Sequence, residues 1–207
     1  AEENTRESIY NAFRRKETFG TSGTRIKVRF FAGYNFENSN LNDQDLIQEA
    51  YSKNVPMGGD MIQEKGKNPR FLVWAISDPL GAPLQRLQII KGWLEDGEHK
   101  EKVFDVACSD GLSVDPITHR CPDNNAAVNL DDCSISTDKG NSEIKTFWKD
   151  PEFSQDQDSF YYSRVLENPT CRWSTWDAVR AGETPRSDIP LTIQERAWSS
   201  PIWYSYE

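Results

Sequence analysis

The residues best suited to hold a small charged group are Gly20, Thr21, Ser22 and Gly23, followed by Arg25. Two glycines allow close backbone approach, and two hydroxyls can donate hydrogen bonds. Arg25 can grip a phosphate or carboxylate through two N–H groups. By composition this is a small-anion cradle, and equally a helix-to-strand connection that needs positive φ. Arg172 beside Trp173, and Arg196 two residues before Trp198, are further arginines set among aromatics. Together with Thr21, Ser22 and Arg25 they form the candidate substrate-binding set. For each arginine the competing reading is an Arg–Trp stack or a buried salt bridge.

No catalytic residue can be assigned. The two histidines, His99 and His119, both lie in polar, turn-like segments and read as solvated. HxH, HExxH and GxSxG patterns are absent from the sequence. Asp43, Asp45 and Glu49 make an acidic helix face without EF-hand spacing. Asp123, Asn124, Asn125, Asp131 and Asp132 could hold calcium, but turn chemistry explains them equally well.

All four cysteines, Cys108, Cys121, Cys133 and Cys171, fall in the second half of the chain. Three of them lie in a polar, turn-rich stretch with little apolar content, which suggests disulfides and an oxidising compartment. The favoured pairs are Cys108–Cys121, closing a short Pro-containing loop, and Cys133–Cys171, anchoring the excursion to the fold. A zinc site with His119 is the rival, and it lacks paired CxxC spacing.

The elements that must position these groups follow from periodicity. Asn4 as N-cap, with Glu7 closing a capping box, starts a helix whose apolar stripe is Ile9, Ala12 and Phe13. Gly20 and Gly23 are expected to stop it. Residues 25–34 read as an arginine-punctuated strand. Leu46, Ile47, Ala50 and Tyr51 give a second short helix. Residues 70–77, 84–93 and 102–107 read as strand, turn, strand, turn, strand, hence a meander. Residues 160–166 make another strand, and a helix capped by Ser174 or Thr175 ends at Gly182. The aromatic tail, residues 191–206, must dock to avoid leaving a large apolar patch.

The formal net charge of -9 argues against a nucleic-acid partner, whose binding face would be basic. No run of about eighteen apolar residues exists, so no membrane span is expected. Twelve per cent of the residues are aromatic, including seven Trp, so a core of few but large side chains is expected.

Several segments, taken in order, resemble one bacterial family. They are ENTRESIYNAFRRKETFGTSGTRIKVRFF, VPMGGDM, NPRFLVWAISDPLGAPLQRLQIIKGW, the CSDG…HRCPDN…C excursion, FYYSRVLENPTCRW and TIQERAWSSPIWY. The family is the domain of unknown function numbered 3604, related to the PHP (polymerase and histidinol phosphatase) superfamily. The resemblance implies an α+β chain. Residues 1–24 would be the final helix and loop of a TIM-like PHP barrel. Residues 25–207 would be a β-rich, sandwich-like accessory domain with a disulfide-linked excursion at 108–171. It also implies that the chain is the C-terminal portion of a longer protein. The metal ligands, for zinc, manganese or iron, would lie in an upstream barrel and match no residue here.

On this reading the chain is the accessory portion of a periplasmic or secreted metal-dependent hydrolase, phosphoesterase-like and inactive alone. Its partners are the upstream barrel and a small-molecule substrate. The alternative is a secreted binding module whose aromatics, Trp173, Trp176, Trp198 and Trp203, stack on a sugar or another planar ligand.

Overall fold

The computed structural model describes residues 1–36 and 39–206. In chain order the elements are α1 (Arg6–Arg14), β1 (Phe19–Thr21), β2 (Lys27–Gly33), α2 (Leu46–Lys53), β3 (Val55–Pro56), β4 (Asp60–Ile62), β5 (Arg70–Ile76) and β6 (Leu84–Glu95). They continue with β7 (Glu98–Cys108), β8 (Glu143–Lys149), β9 (Ser159–Glu167), β10 (Thr170–Cys171), α3 (Trp173–Ala181), β11 (Thr192–Ile193), β12 (Arg196–Ser199) and β13 (Ile202–Ser205).

β9 is the spine of the larger sheet. The long hairpin of β6 and β7 pairs along one edge of β9. β12 and β13 lie end to end along its other edge, flanked by β1 and β4 respectively. This seven-stranded sheet curls into a half-barrel. A four-stranded sheet, in the order β3-β2-β5-β8, closes the open side. Between the sheets lies a core of Val28, Phe30, Phe71, Val73, Leu87, Ile89, Tyr161, Val165 and Ile202, all essentially dry. Burial of each large aliphatic or aromatic side chain contributes roughly 1.5–3 kcal/mol. A second cluster, Phe31, Phe36, Leu46, Ala50 and Leu72, seals the far face of the smaller sheet beneath α2.

The expected α+β layout with a terminal barrel helix is overturned: the chain is a β-rich domain, with three short helices among the described residues. Residues 1–24 do not form a barrel remnant. β1 pairs antiparallel with β12 inside the main sheet, and Ser200 N–H bonds Thr18 O. α1 is capped by Thr5, which accepts from Ser8 N–H, rather than by Asn4. Its C-cap is Arg15, and Lys16 just beyond, rather than Gly20, takes the left-handed conformation (φ 57°). Only Ala12 of its expected stripe is buried; Ile9 and Phe13 stay exposed.

The meander is also corrected. β5 and β6 belong to different sheets, so the Asp78 turn carries the chain across the core, and only β6 and β7 form a hairpin. α3 does end at Gly182, in the left-handed region at φ 69°. The aromatic tail docks as β12 and β13 against the spine. The fully buried aromatic side chains are Phe30, Phe31, Phe36, Phe71, Phe104 and Tyr161, whereas Trp173 and Trp203 are 72% and 47% exposed. Phenylalanine supplies most of the large buried rings, while Trp74 and Trp148 pack half-buried against the two clusters.

Two disulfides pair Cys108 with Cys121 and Cys133 with Cys171. The excursion they hold is stitched to the sheet by polar groups. Asp105, fully buried, accepts from Arg86 (3.0 Å), Gln88 (2.5 Å) and Cys121 N–H (2.7 Å). Asn124 accepts from Gln85 and donates to Asn168. Such buried groups must find partners, which the nearly apolar-free excursion supplies.

Candidate functional site

The alternation of β9 decides what faces outward. Ser159, Tyr161, Ser163, Val165 and Glu167 point inward, so Phe160, Tyr162, Arg164 and Leu166 lie half-buried on the outer face. Residues directly opposite on neighbouring strands share a face. Trp203 therefore joins Phe160, Trp198 joins Arg164, and Arg196 joins Leu166. The result is a strip of aromatics and arginines about 20 Å long, taking roughly 3.3 Å per residue along β9.

Its geometry is ordered. The Phe160 ring lies 5.0 Å from Trp203 and stacks on Tyr162 at 6.4 Å and 14°. Phe160 lies flat because Gly92, opposite it on β6, has no side chain: a Cβ there would sit 2.2 Å from the ring. Arg164 Nε donates to Gln88 Oε1 at 2.6 Å, and Gln88 in turn donates to the buried Asp105. Its two terminal nitrogens bond no described residue. Arg196 lies over the Trp198 ring at 6.0 Å and donates Nε–H to Gln194 O, again leaving its terminal nitrogens unpaired among the described residues. Burial, with the Glu101 carboxylate second, raises the Tyr162 hydroxyl above its usual pKa, so it stays protonated and can donate. Flat apolar rings beside paired N–H forks are suited to a ligand with a ring face and acidic or hydroxyl groups.

The sequence-derived candidates distribute unevenly. Thr21 and Ser22 follow Gly20, which lies opposite Trp198 at the edge of this strip. Ser22 accepts from Arg196 N–H at 2.9 Å and bonds the Glu195 carboxylate. Thr21, Ser22 and Arg196 are thus brought together. Arg25 stands apart, its N–H bonded to Asp78 at 2.8 Å. Arg172 is remote; it precedes α3 and donates to Pro190 O. Trp173 and Trp176 lie on α3, with Arg180 stacked on Trp176 at 4.8 Å. Of the residues that could hold calcium, Asp123 and Asp132 each accept the backbone N–H two residues on, and Asn124 is taken up in the buried network with Gln85 and Asn168.

The 22–25 loop faces carboxyl groups. Glu167 is fully buried, and its pKa is pushed up to about 7 by burial. The Thr24 hydroxyl and Ala82 N–H pull the other way without completing a hydrogen bond, and Glu195 and Asp78 add repulsion. Asp78 is held below the usual carboxylate range by the N–H groups of Leu80 and Arg25.

Phe160, Tyr162 and Arg164 are not among the sequence-derived candidates. The signal is present in FYYSRVL: Phe160, Tyr162 and Arg164 fall at every second position, a period-two pattern on a strand. Their neighbours Trp198 and Trp203 belong to the aromatics of the alternative binding-module reading.

Fold and face together define a disulfide-bonded β-domain with an exposed aromatic–arginine strip. The chain belongs to the family described as "Protein of unknown function (DUF3604)", whose model matches residues 1–206. No curated protein and no solved structure matches it. The two disulfides suggest an extracellular or periplasmic location, and no described helix is long and apolar enough to cross a membrane.

Proposed function

We propose that this chain is a binding module, secreted or periplasmic, whose outer sheet face holds an acidic carbohydrate chain. The observation that supports it is the pairing of Trp203, Phe160 and Trp198 with the unpaired guanidinium ends of Arg164 and Arg196. Sugar rings would stack on the aromatics while carboxylate or sulfate groups meet the arginines. Tryptophan fluorescence titrated with neutral and acidic oligosaccharides tests this. Acidic oligosaccharides should bind, and Trp203→Ala should weaken binding by about tenfold, a loss of roughly 1.4 kcal/mol. Equal affinity in Trp203→Ala, or no saturation with any acidic sugar, refutes it.

A second reading makes the chain the accessory portion of a bacterial, PHP-like metal-dependent hydrolase. Zinc, manganese or iron would be held by a catalytic barrel of the same protein. What favours it is α1, whose Ile9, Tyr10 and Phe13 share one exposed apolar side. Such a face suits docking against another domain. On this reading Phe13→Glu in the longest natural protein carrying this chain lowers metal-dependent phosphoester hydrolysis. An unchanged rate counts against it.

A further inference from the structure

The outer edge of β2 is open over its first half among the described residues. β3 pairs only with Phe31 and Ala32, and Met57 N–H reaches Phe30 O at 2.8 Å. In an antiparallel ladder, successive residues aim their backbone groups at alternate neighbours. Phe30 O points to the β3 side, so the N–H and C=O of Val28 point there too, and no strand meets them. That edge opens into a cleft of about 700 Å³, of the size that takes ligands.

The walls of the cleft have a definite chemistry. Lys27, Arg29, Trp74 and Ile76 line its outer-face side, in register across β2 and β5. Phe19 and Met57 line the other side of the edge. Arg29 is already engaged: its guanidinium donates to the Tyr51 hydroxyl at 3.2 Å, and that hydroxyl donates to Glu17 at 2.5 Å. Lys27 has no carboxylate partner among the described residues. Trp74 Nε1–H is buried and bonds no acceptor among the described residues. A buried donor without an acceptor is costly and uncommon. Glu17, the carboxylate that lines the cleft, is already held by Tyr51 and Arg15, so Lys27 and the Trp74 indole N–H face no acceptor among the described residues.

We propose that this cleft takes an extended acidic peptide segment as an added strand on β2. The peptide backbone pairs with Val28 N–H and C=O. Every second side chain then falls on the outer face, where a carboxylate meets Lys27 and Trp74 Nε1–H. The alternate side chains are apolar and rest on Phe19 and Met57. Exposed strand edges are often guarded by a single lysine, and Lys27 could do only that. The guard role leaves the aromatic walls and the unbonded indole N–H without a purpose, whereas strand addition uses both. The site is separate from the aromatic–arginine strip and does not depend on it.

The probe is an acetylated, amidated hexapeptide of alternating glutamate and valine, with a lysine–valine hexapeptide for comparison. Tryptophan fluorescence and amide hydrogen exchange are read together. The acidic peptide should saturate and slow exchange at Val28 by about tenfold or more. Methylating its valine nitrogens should lower affinity at least about tenfold, because strand addition rests on backbone bonds. Lys27→Glu, at an exposed position, should weaken binding similarly while leaving the fold intact. Failure of the acidic peptide to saturate, equal binding of the methylated or basic peptide, or unchanged Val28 exchange in the complex would overturn the proposal.

Discussion

Replacing Glu167 by Gln should remove a pH-dependent weakness from the domain. Glu167 is fully buried, its two oxygens complete no hydrogen bond, and Glu195 and Asp78 lie near enough to repel its charge. Its pKa therefore rises from 4.5 to about 7. With a raised carboxyl pKa the folded state binds more protons than the unfolded state between these values. Stability is then greatest below about pH 4.5, falls as pH rises, and levels off above about pH 7. At roughly 1.4 kcal/mol per pH unit, the complete penalty is about 3 kcal/mol, and about 2 kcal/mol of it develops between roughly pH 5 and pH 8. Glutamine has the same shape without the charge. Urea unfolding of both proteins at the two pH values, with disulfides intact, isolates the effect, because all other titrating groups cancel in the difference. Glu167→Gln should gain on the wild type by about 2 kcal/mol more at the higher pH. A difference that is the same at both pH values refutes the reasoning.

Two further outcomes follow from buried geometry. Asp150 accepts from Lys91 (2.7 Å) and Tyr161 (2.8 Å) deep in the core, so Asp150→Ala should cost about 3–5 kcal/mol by stranding the Lys91 ammonium. Adding Lys91→Met should recover much of that loss in the same urea assay, and no recovery would show that packing dominates. Gly92→Ala should push Phe160 off the sheet, because the new Cβ would lie 2.2 Å from its ring. Phe160 is half-buried and can swing outward, so stability should drop by about 1 kcal/mol while oligosaccharide affinity falls further.

Much of the local structure was legible in the sequence. RFLVWAIS is apolar throughout and becomes β5, buried on both faces as such runs require. FYYSRVL alternates and becomes the spine β9. Gly182 stops α3 because a left-handed residue is needed there and glycine takes it without strain. β8 was not legible: EIKTFWK mixes charge with apolar residues, and only its place opposite β5 shows why. Lys16, a poor candidate for positive φ, closes α1 because tertiary contacts hold the chain on course to β1.

By itself the sequence determined five of the longer strands, that the cysteine excursion needed covalent staples, that the aromatic tail had to dock, and which family the chain belongs to. Periodicity, turn residues and cysteine spacing are local signals and carry that much. Tertiary structure alone decided that β5 and β6 part into different sheets, and that α1 leaves its stripe exposed. It also set Trp203, Phe160, Trp198 and Arg164 on one face from three separate strands. Strand neighbours and register are chosen by long-range packing against a shared core, and no local pattern encodes which distant segment will lie alongside.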